Sequence, residues 1–341
     1  MNVLRFTRRH ILTALGALIA TTGRAMTLGS SRLTLVLAPT NLGLRPTESG
    51  TLPGTGHAPQ ALITAGLRER LGAEKVFQVP ERSYDLTPQP GTRIRNGNTI
   101  RAFSLELAHL VQRALLDGQF PIVVGGDCSV LLGSLYGARL AGGRGLVHID
   151  GHSDFFHPGN YDSTQRLGSA AGMDLALATG RGEPLLTRWP GVDGPLAHDA
   201  DVVQVGERNA LDADYATYYG DIVRTDITRF IVQDVLKVGV ETTAVAVIER
   251  MRSRKITRAW LHLDLDVLDQ LVMPAVDSPG SPGLSFAQLG QLLRLLVESG
   301  LFIGADVAIY DPDLDPSRRY APRIVETLAQ GFAHTGSAKV A

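Results

Sequence analysis

Residues 145–154 read Gly-Leu-Val-His-Ile-Asp-Gly-His-Ser-Asp, and this stretch decides how the chain folds. Its apolar first half, which ends at a glycine-containing segment, predicts a buried strand over residues 145–150. Side chains of an extended chain alternate between two faces, so Asp150, His152 and Asp154 point the same way if that geometry continues past the strand. The stretch therefore predicts an interior strand with metal-binding side chains at its carboxyl end.

The chain around this stretch alternates between apolar runs and helical periodicity from residue 33 onward. Further strands are predicted at 120–124, 201–206, 259–264 and 301–307, and helices at 103–115, 243–254 and 285–298, the last with Ser285 as its cap. Strands that alternate with helices are typical of βαβ units and of a parallel sheet. We therefore predict a single three-layer α/β/α domain over residues 26–341, with a mostly parallel central sheet.

Two more acidic motifs follow predicted strands. Cys128 lies in Gly-Gly-Asp-Cys-Ser, directly after the strand at 120–124, and Asp264 and Asp266 end the strand at 259–264. In such folds ligands gather at the carboxyl ends of the strands. Each motif alone also fits an ordinary turn or a solvated loop edge, but together they favour a metal site. Converging carboxylates repel one another, and a multivalent cation compensates the several kcal/mol that their burial costs.

The donor set favours Mn²⁺, because it is rich in carboxylate oxygens and includes an imidazole, with Zn²⁺ or Fe²⁺ as alternatives. At 341 residues and 44% hydrophobic, the chain can bury a large core. Its formal net charge is -1 and no Lys/Arg run stands out, so neither a nucleic-acid groove nor a basic membrane patch is indicated. A small-molecule substrate is the expected partner.

The first 25 residues differ from the rest. Arg8 and Arg9 precede an apolar run over residues 11–20, and Gly23 and Ala25 supply small residues for cleavage. This pattern predicts a twin-arginine-type signal peptide over residues 1–25 and export to the periplasm or the extracellular space. The alternative is a cytoplasmic chain whose amino terminus carries the arginine pair by chance.

The three motifs, in this order, resemble the signatures of the ureohydrolase family of arginases, agmatinases and formiminoglutamases. Residues 125–129 match Gly-Gly-Asp-His-Ser at all but one position, residues 150–154 match Asp-Ala-His-x-Asp, and residues 264–269 read Asp-Leu-Asp-Val-Leu-Asp. The resemblance implies an arginase-like fold and a homo-oligomer, trimeric or hexameric. It also implies two Mn²⁺ ions that share a hydroxide, which attacks a linear C–N bond of a guanidino (amidino) compound.

The resemblance also implies roles for individual ligands. Asp150 and Asp264 would bridge the two ions, His152 and Asp266 would complete the first, and Asp154 would bind the second. Asp154 would also accept a hydrogen bond from the nucleophile.

The chain departs from the family pattern at three positions. Cys128 replaces a ligand histidine, and we predict that it binds metal as a softer ligand, against the alternative of a small buried hydrophobe. Ala171 stands where members that hydrolyse arginine carry a proton-transferring histidine, and Ile309 stands where a glutamate recognises the guanidinium. Plain arginase activity is therefore not expected.

Four further residues are assigned with less support from pattern. His157 is predicted to replace the missing proton carrier, with an ordinary loop histidine as the alternative. Asn160 and Ser169 lie in the loop that holds substrate in the family. His262 shares a strand face with Asp264, and we predict a core histidine there.

Two other functions remain open at this stage. One is an amide hydrolase with a single metal ion, similar to the deacetylases that share this fold. The other is a catalytically inactive metal-binding family member, which the missing histidine and glutamate would favour.

Overall fold

The computed structural model describes residues 33–212 and 221–332. The predicted signal peptide at residues 1–25 lies outside the described residues, and so do both ends of the predicted domain 26–341. Within the described ranges, no helix is long and apolar enough to cross a membrane.

A single parallel sheet of eight strands forms the centre of the molecule, in the order β2-β1-β3-β8-β7-β4-β5-β6. The strands are β1 (Leu33–Ala38), β2 (Lys75–Gln78), β3 (Phe120–Gly125), β4 (Gly145–Ile149), β5 (Val202–Val205), β6 (Thr228–Phe230), β7 (Ala259–Asp264) and β8 (Phe302–Ala308). Strands β1, β3, β4 and β7 are buried along their whole length, as expected for a parallel sheet covered on both faces.

Helices cover the sheet in two groups. They are α1 (Ala58–Thr64), α2 (Leu67–Leu71), α3 (Gly97–Leu116), α4 (Val130–Leu140), α5 (Asp174–Ala178), α6 (Pro184–Thr187), α7 (Val232–Val238), α8 (Val240–Ser253), α9 (Phe286–Glu298) and α10 (Ala321–Phe332). Helices α3 to α6 pack against one another, and α1, α2 and α7 to α10 form the second group. The predicted three-layer α/β/α fold with a parallel sheet is confirmed.

The predicted strands and helices are confirmed to within a few residues at their ends. Helix α9 begins after Ser285, whose side-chain oxygen accepts a hydrogen bond from the Gln288 amide at 3.3 Å, while the Gln288 side chain accepts from the Ser285 amide at 2.9 Å. This reciprocal cap satisfies two donors that the first turn of a helix leaves free. Strands β1, β2 and β6 were not predicted. Strands β2 and β6 are short edge strands without a continuous buried apolar run, whereas β1 is a buried apolar run that no acidic motif follows.

The order of the strands explains where the acidic motifs meet. Strand β7 lies between β8 and β4, with His148 paired to His262 and His262 paired to Asp306. Because all the strands run in one direction, Asp264 at the end of β7 and Asp150 just beyond β4 emerge at the same edge of the sheet.

Gly126 lets the loop after β3 pass close to the chain that follows β1. Its amide donates to the Ala38 carbonyl at 3.2 Å, and a Cβ at this position would lie 1.7 Å from the Thr40 carbonyl oxygen. A backbone atom cannot move aside as a side chain can. Glycine is therefore required at this point for the Cys128 loop to take its observed position.

We expect Gly126→Ala to lower the free energy of unfolding by about 3 kcal/mol or more, because the added methyl group overlaps fixed backbone. Urea denaturation measures this change. Gly56→Ala is a matched control, since its Cβ would come no nearer to Thr40 than 3.7 Å, an ordinary contact. Equal losses in the two variants would contradict the steric explanation.

Candidate metal centre

Backbone amides orient the carboxylates at the strand ends. The Asp266 amide donates to Asp264 Oδ1 at 2.7 Å, and the His152 amide donates to Asp150 Oδ1 at 2.6 Å. Both bonds join residues two apart, so the turn after each strand fixes the carboxylate that precedes it. The Gly151 amide donates across the two motifs to Asp266 Oδ1 at 3.0 Å. The loops after β4 and β7 are thereby held together.

His152 and Asp266 form an ion pair at the mouth of this cluster, with Nδ1 and Oδ2 2.8 Å apart. Arg208 supports it from behind, because its guanidinium donates to the Asp266 carbonyl and lies 4.0 Å from Asp266 Oδ1. Sequence reasoning missed Arg208, which follows β5 and carries no recognisable motif.

Asp154 reaches the cluster by a different route from the one predicted. Its φ is 44°, in the left-handed region, so the extended geometry of β4 does not continue through residue 154. The turn nevertheless brings Asp154 to the same place. One group of ligand atoms, all within 4.8 Å of one another, consists of His148, Asp150 and Asp154. A second such group consists of Asp150, His152 and Asp266.

The buried carboxyl groups repel one another electrostatically. Burial, assisted by Asp266, raises the pKa of Asp150 to about 6. Burial raises the pKa of Asp154 and of Asp264 well above the ordinary value, and the neighbouring carboxylates add to both effects. Asp266 differs, because its burial is outweighed by His152, which lowers its pKa.

A divalent cation fits this arrangement. Asp150 Oδ2 is fully buried and has no hydrogen-bond partner among the described residues. A buried carboxylate oxygen without a donor is unfavourable unless a cation or a proton occupies the space before it. The oxygen-rich donor set suits Mn²⁺, the ion predicted from the sequence. The roles of Asp150, His152, Asp154, Asp264 and Asp266 as ligands stay predictions.

Cys128 lies beside the cluster and acts as a hydrogen-bond donor. Its thiol is buried and donates to Asp264 Oδ2 over a distance of 2.7 Å. Burial and the Asp264 charge raise the pKa of the thiol well above its usual value. No group of three ligand atoms within 4.8 Å includes Cys128 in the part of the chain that the structure describes. Metal binding by Cys128 stays a prediction.

A layer of buried histidines lies beneath the carboxylates. His148 and His262 stack with ring centroids 4.6 Å apart, and His262 Nδ1 lies 2.6 Å from Asp306 Oδ1. His148 Nε2 lies 3.1 Å from Asp174 Oδ1. Burial would lower the pKa of His262, but Asp306 raises it to about 9. Burial and the positive charge of His262 lower the pKa of His148 to about 3, so His148 is a neutral imidazole.

Sequence reasoning left out His148 and Asp174. The strand period would have revealed His148, which precedes Asp150 by two residues just as His262 precedes Asp264. Asp174 follows a loop and begins α5, so no local pattern placed it near the strand ends.

A cavity of about 600 Å³ opens over the cluster. Cys128, His152, Asp154, Asp264 and Asp266 line its floor. Ser169, predicted to contact substrate, also lines the cavity, although its hydroxyl donates to the Gly43 carbonyl at 2.6 Å. The predicted metal ligands thus face a space large enough for a small molecule.

His157 and Asn160 do not line this cavity. His157 Nε2 lies 3.0 Å from Asp221 Oδ2, and its Nδ1 accepts from the Gly159 amide at 3.0 Å. The Asn160 side chain donates to the Phe155 carbonyl and accepts from the His157 amide, both at 2.9 Å. Their hydrogen bonds hold the loop together, and their catalytic and substrate-binding roles stay predictions.

Two apolar residues occupy the wall of the cavity where the family resemblance implies polar ones. They are Ala171 and Ile309. Ile309 has a φ of 76°, a conformation that β-branched residues rarely adopt, and its amide donates to the Gly126 carbonyl at 2.7 Å. The backbone at Ile309 is therefore fixed by its neighbours and not by its own side chain.

Two arginines stand at the rim of the cavity. Arg45 and Arg166 both line it and are exposed to solvent. Arg166 lies over the rings of Phe156 and Tyr161, at 5.8 and 5.5 Å from their centroids. Partial burial and the charge of Arg166 lower the pKa of Arg45. Neither guanidinium has a carboxylate within 4.0 Å among residues 33–212 and 221–332, although the charge of Asp277, which also lines the cavity, acts on Arg45.

Comparisons with known proteins agree with this geometry. The model of the Arginase family matches residues 33–333. The arginase of Bacillus caldovelox is 28% identical over 289 residues, which are 83% of this chain and 93% of that protein. The arginase of Staphylococcus aureus is 26% identical over 309 residues, 88% of this chain and 97% of that protein. The native structure of the Bacillus caldovelox arginase has a TM-score of 0.78 at 26% identity and covers 91% of this chain and 100% of that chain.

We expect the metal-free protein to lose stability between about pH 7 and about pH 9. The stabilising protonation of His152 is complete below its ordinary pKa of 6.5 and is lost as the pH rises through about 9, and the same holds for His262. Thermal melting should show a decrease in Tm of at least about 5 °C.

Mn²⁺ should reverse this loss, and its stabilising effect should be larger at the higher pH, because the cation replaces the released protons. Mg²⁺ at the same concentration serves as the control for ionic strength. A Tm of the metal-free protein that rises over this range would contradict the raised pKa values of His152 and His262.

Proposed function

The chain belongs to the arginase family and is a ureohydrolase-like enzyme acting on C–N bonds, and from this premise we propose that it hydrolyses a guanidino compound other than unsubstituted arginine. The observation that carries the proposal is the pair of ligand groups that share Asp150. Two groups of donors joined by one carboxylate suit a pair of neighbouring cations. The family match over residues 33–333 supports the same conclusion.

We assign the roles of metal binding and proton transfer to the following residues. Asp150, Asp154, Asp264, Asp266 and His152 would hold the ions, which when bound supply Lewis acidity and activate water as the nucleophile. Asp154 lines the cavity and can accept a proton from that water at a carboxylate oxygen. The leaving amine must gain a proton, and we assign its return to the carboxyl group of Asp154.

The wall of the cavity argues against arginine as the substrate. Ile309 and Ala171 present apolar surface where recognition of an unsubstituted guanidinium would require hydrogen-bond acceptors. A guanidino group that carries a substituent, as in an N-substituted arginine, would instead place apolar atoms against Ile309. Its remaining N–H groups would face the carboxylates of the floor.

The rim arginines support a substrate with an anionic end. Arg45 and Arg166 are separate from the floor carboxylates and have no carboxylate partner in the described ranges, so they attract a negatively charged group to the cavity entrance. A compound with a guanidino group and a carboxylate can place the first against the acidic floor and the second against the rim arginines at the same time.

A second candidate is an amide hydrolase that uses one metal ion. Cys128 favours it, because a thiol replaces the family histidine and donates to Asp264 in this structure. Ion count separates the two functions, since the guanidino hydrolase needs two ions and the amide hydrolase one.

The purified protein loaded with Mn²⁺ is expected to contain two ions per chain by elemental analysis and to cleave N-substituted arginines faster than arginine. Asp264→Asn should lower the rate at least about 100-fold and release metal, because it removes a ligand charge. Asp193→Asn makes the same isosteric change at an exposed position and serves as the control. One firmly bound ion together with turnover of acylamines alone would favour the second candidate.

A protein that binds no ion and hydrolyses nothing across guanidino, formimino and acylamine compounds would refute both functions. Its behaviour should then be the same in the Asp264→Asn variant.

Arg45→Ala and Arg166→Ala are each expected to raise the KM for a guanidino carboxylate about 10-fold, through loss of a charge-assisted contact. The KM for a guanidino amine without the carboxylate should hardly change, and steady-state kinetics on both compounds makes the comparison. Arg68→Ala removes an exposed guanidinium from α2, outside the cavity lining, and controls for net charge. Equal effects on both substrates would exclude an anion-binding role.

A further inference from the structure

We propose that His148, and not Cys128, supplies the nitrogen ligand for the cation held by Asp150 and Asp154. The inference rests on the proposed function, because it names a ligand in the same centre. It assigns to β4 the imidazole that the family pattern places after β3. The sequence prediction of Cys128 as a ligand is the rival arrangement.

The position of His148 follows from the strand period. Residues 148 and 150 are two apart on β4 and its extension, so their side chains share a face of the sheet. His148 is completely buried, and its Nε2 lies 3.6 Å from Asp150 Oδ2. Within the cluster, Asp150 Oδ2 has no hydrogen-bond partner among the described residues.

The spacing of these atoms suits coordination. Ligand atoms about 2.1 Å from one ion lie about 3.0–3.5 Å apart when they are adjacent in a tetrahedral or octahedral shell. The separation of 3.6 Å between His148 Nε2 and Asp150 Oδ2 needs only a small adjustment. Asp154 completes a group whose ligand atoms all lie within 4.8 Å of one another. A small movement of side chains would therefore close the three donors around a cation.

Cys128 occupies a different position. Its Sγ contacts Asp264 Oδ2 at 2.7 Å as a donor, and this contact pairs two residues that both lie outside the three-ligand groups found in the described ranges. The Cys128 thiol keeps its proton in this contact, and a protonated thiol is not a metal ligand. Cys128 thus acts as a positioning residue for Asp264.

The contacts beneath His148 permit this role. A cation at Nε2 would replace the contact between Nε2 and Asp174 Oδ1, which is 3.1 Å long. Asp174 retains a second imidazole nearby, because its Oδ2 lies 3.5 Å from His262 Nε2. The stacked ring of His262 holds the plane of His148, with centroids 4.6 Å apart. His262 itself is directed at Asp306 and is a positioning residue.

The test counts ions in variants of the full-length protein loaded with Mn²⁺. Cys128→Ala is expected to keep both ions, with a smaller change in affinity than His148→Ala causes, because the thiol only positions Asp264. His148→Ala should lose one ion, or raise the dissociation constant of one site about 100-fold or more. His109→Ala is the control, since it removes an exposed imidazole from α3, outside the cavity lining, and it should keep both ions. Circular dichroism of each metal-free variant checks its fold.

The Co²⁺-loaded wild-type protein gives a second reading that needs no variant at His148. A thiolate ligand produces an intense sulfur-to-cobalt charge-transfer band in the near ultraviolet, and we expect no such band. A band that is present in the wild type and lost in Cys128→Ala would overturn the inference. Loss of an ion in Cys128→Ala, with both ions kept in His148→Ala, would also overturn it. These results leave the proposed function intact, whereas a wild-type protein that binds no ion refutes the proposed function itself.

Discussion

The structure depends on the electrostatic repulsion among buried carboxylates at one edge of the sheet. Asp150 and Asp264 emerge from neighbouring strands, and burial raises the pKa of both. Such a cluster is unfavourable unless protons or cations occupy it. The parallel sheet, the loops that continue from β4 and β7, and Arg208 behind Asp266 fix these oxygens in place. The requirement for protons or cations is therefore a property of the folded backbone as much as of the motifs.

The sequence predicted the interior of the sheet well, because a buried parallel strand reads as an apolar run and its end is marked by the acidic motif. It did not predict β1, which no acidic motif follows, or β2 and β6, where exposure removes that pattern. The period of two does not extend to Asp266, which lies in a 3-10 turn after β7. Within the site, the meeting of Asp150 and Asp264 at one edge of the sheet could be predicted from the ends of β4 and β7. Asp174, Arg45 and Arg166 could not, since loops bring them to the cavity from distant parts of the chain. The left-handed turn at Asp154 also escaped prediction, because a sequence does not show where extended geometry stops.

The departures from the family pattern are related in space. Cys128, Ala171 and Ile309 all line one cavity. The same cavity has an acidic floor and two arginines at its rim, Arg45 and Arg166.

The conformation of Ile309 imposes a cost at the cavity wall. Its backbone is held at a φ of 76°, with its amide bonded to the Gly126 carbonyl. A non-glycine residue in this left-handed region costs about 1–3 kcal/mol, and a β-branched side chain is among the least suited to it. The apolar wall of the cavity therefore carries a local conformational strain, which glycine or asparagine at this position would relieve.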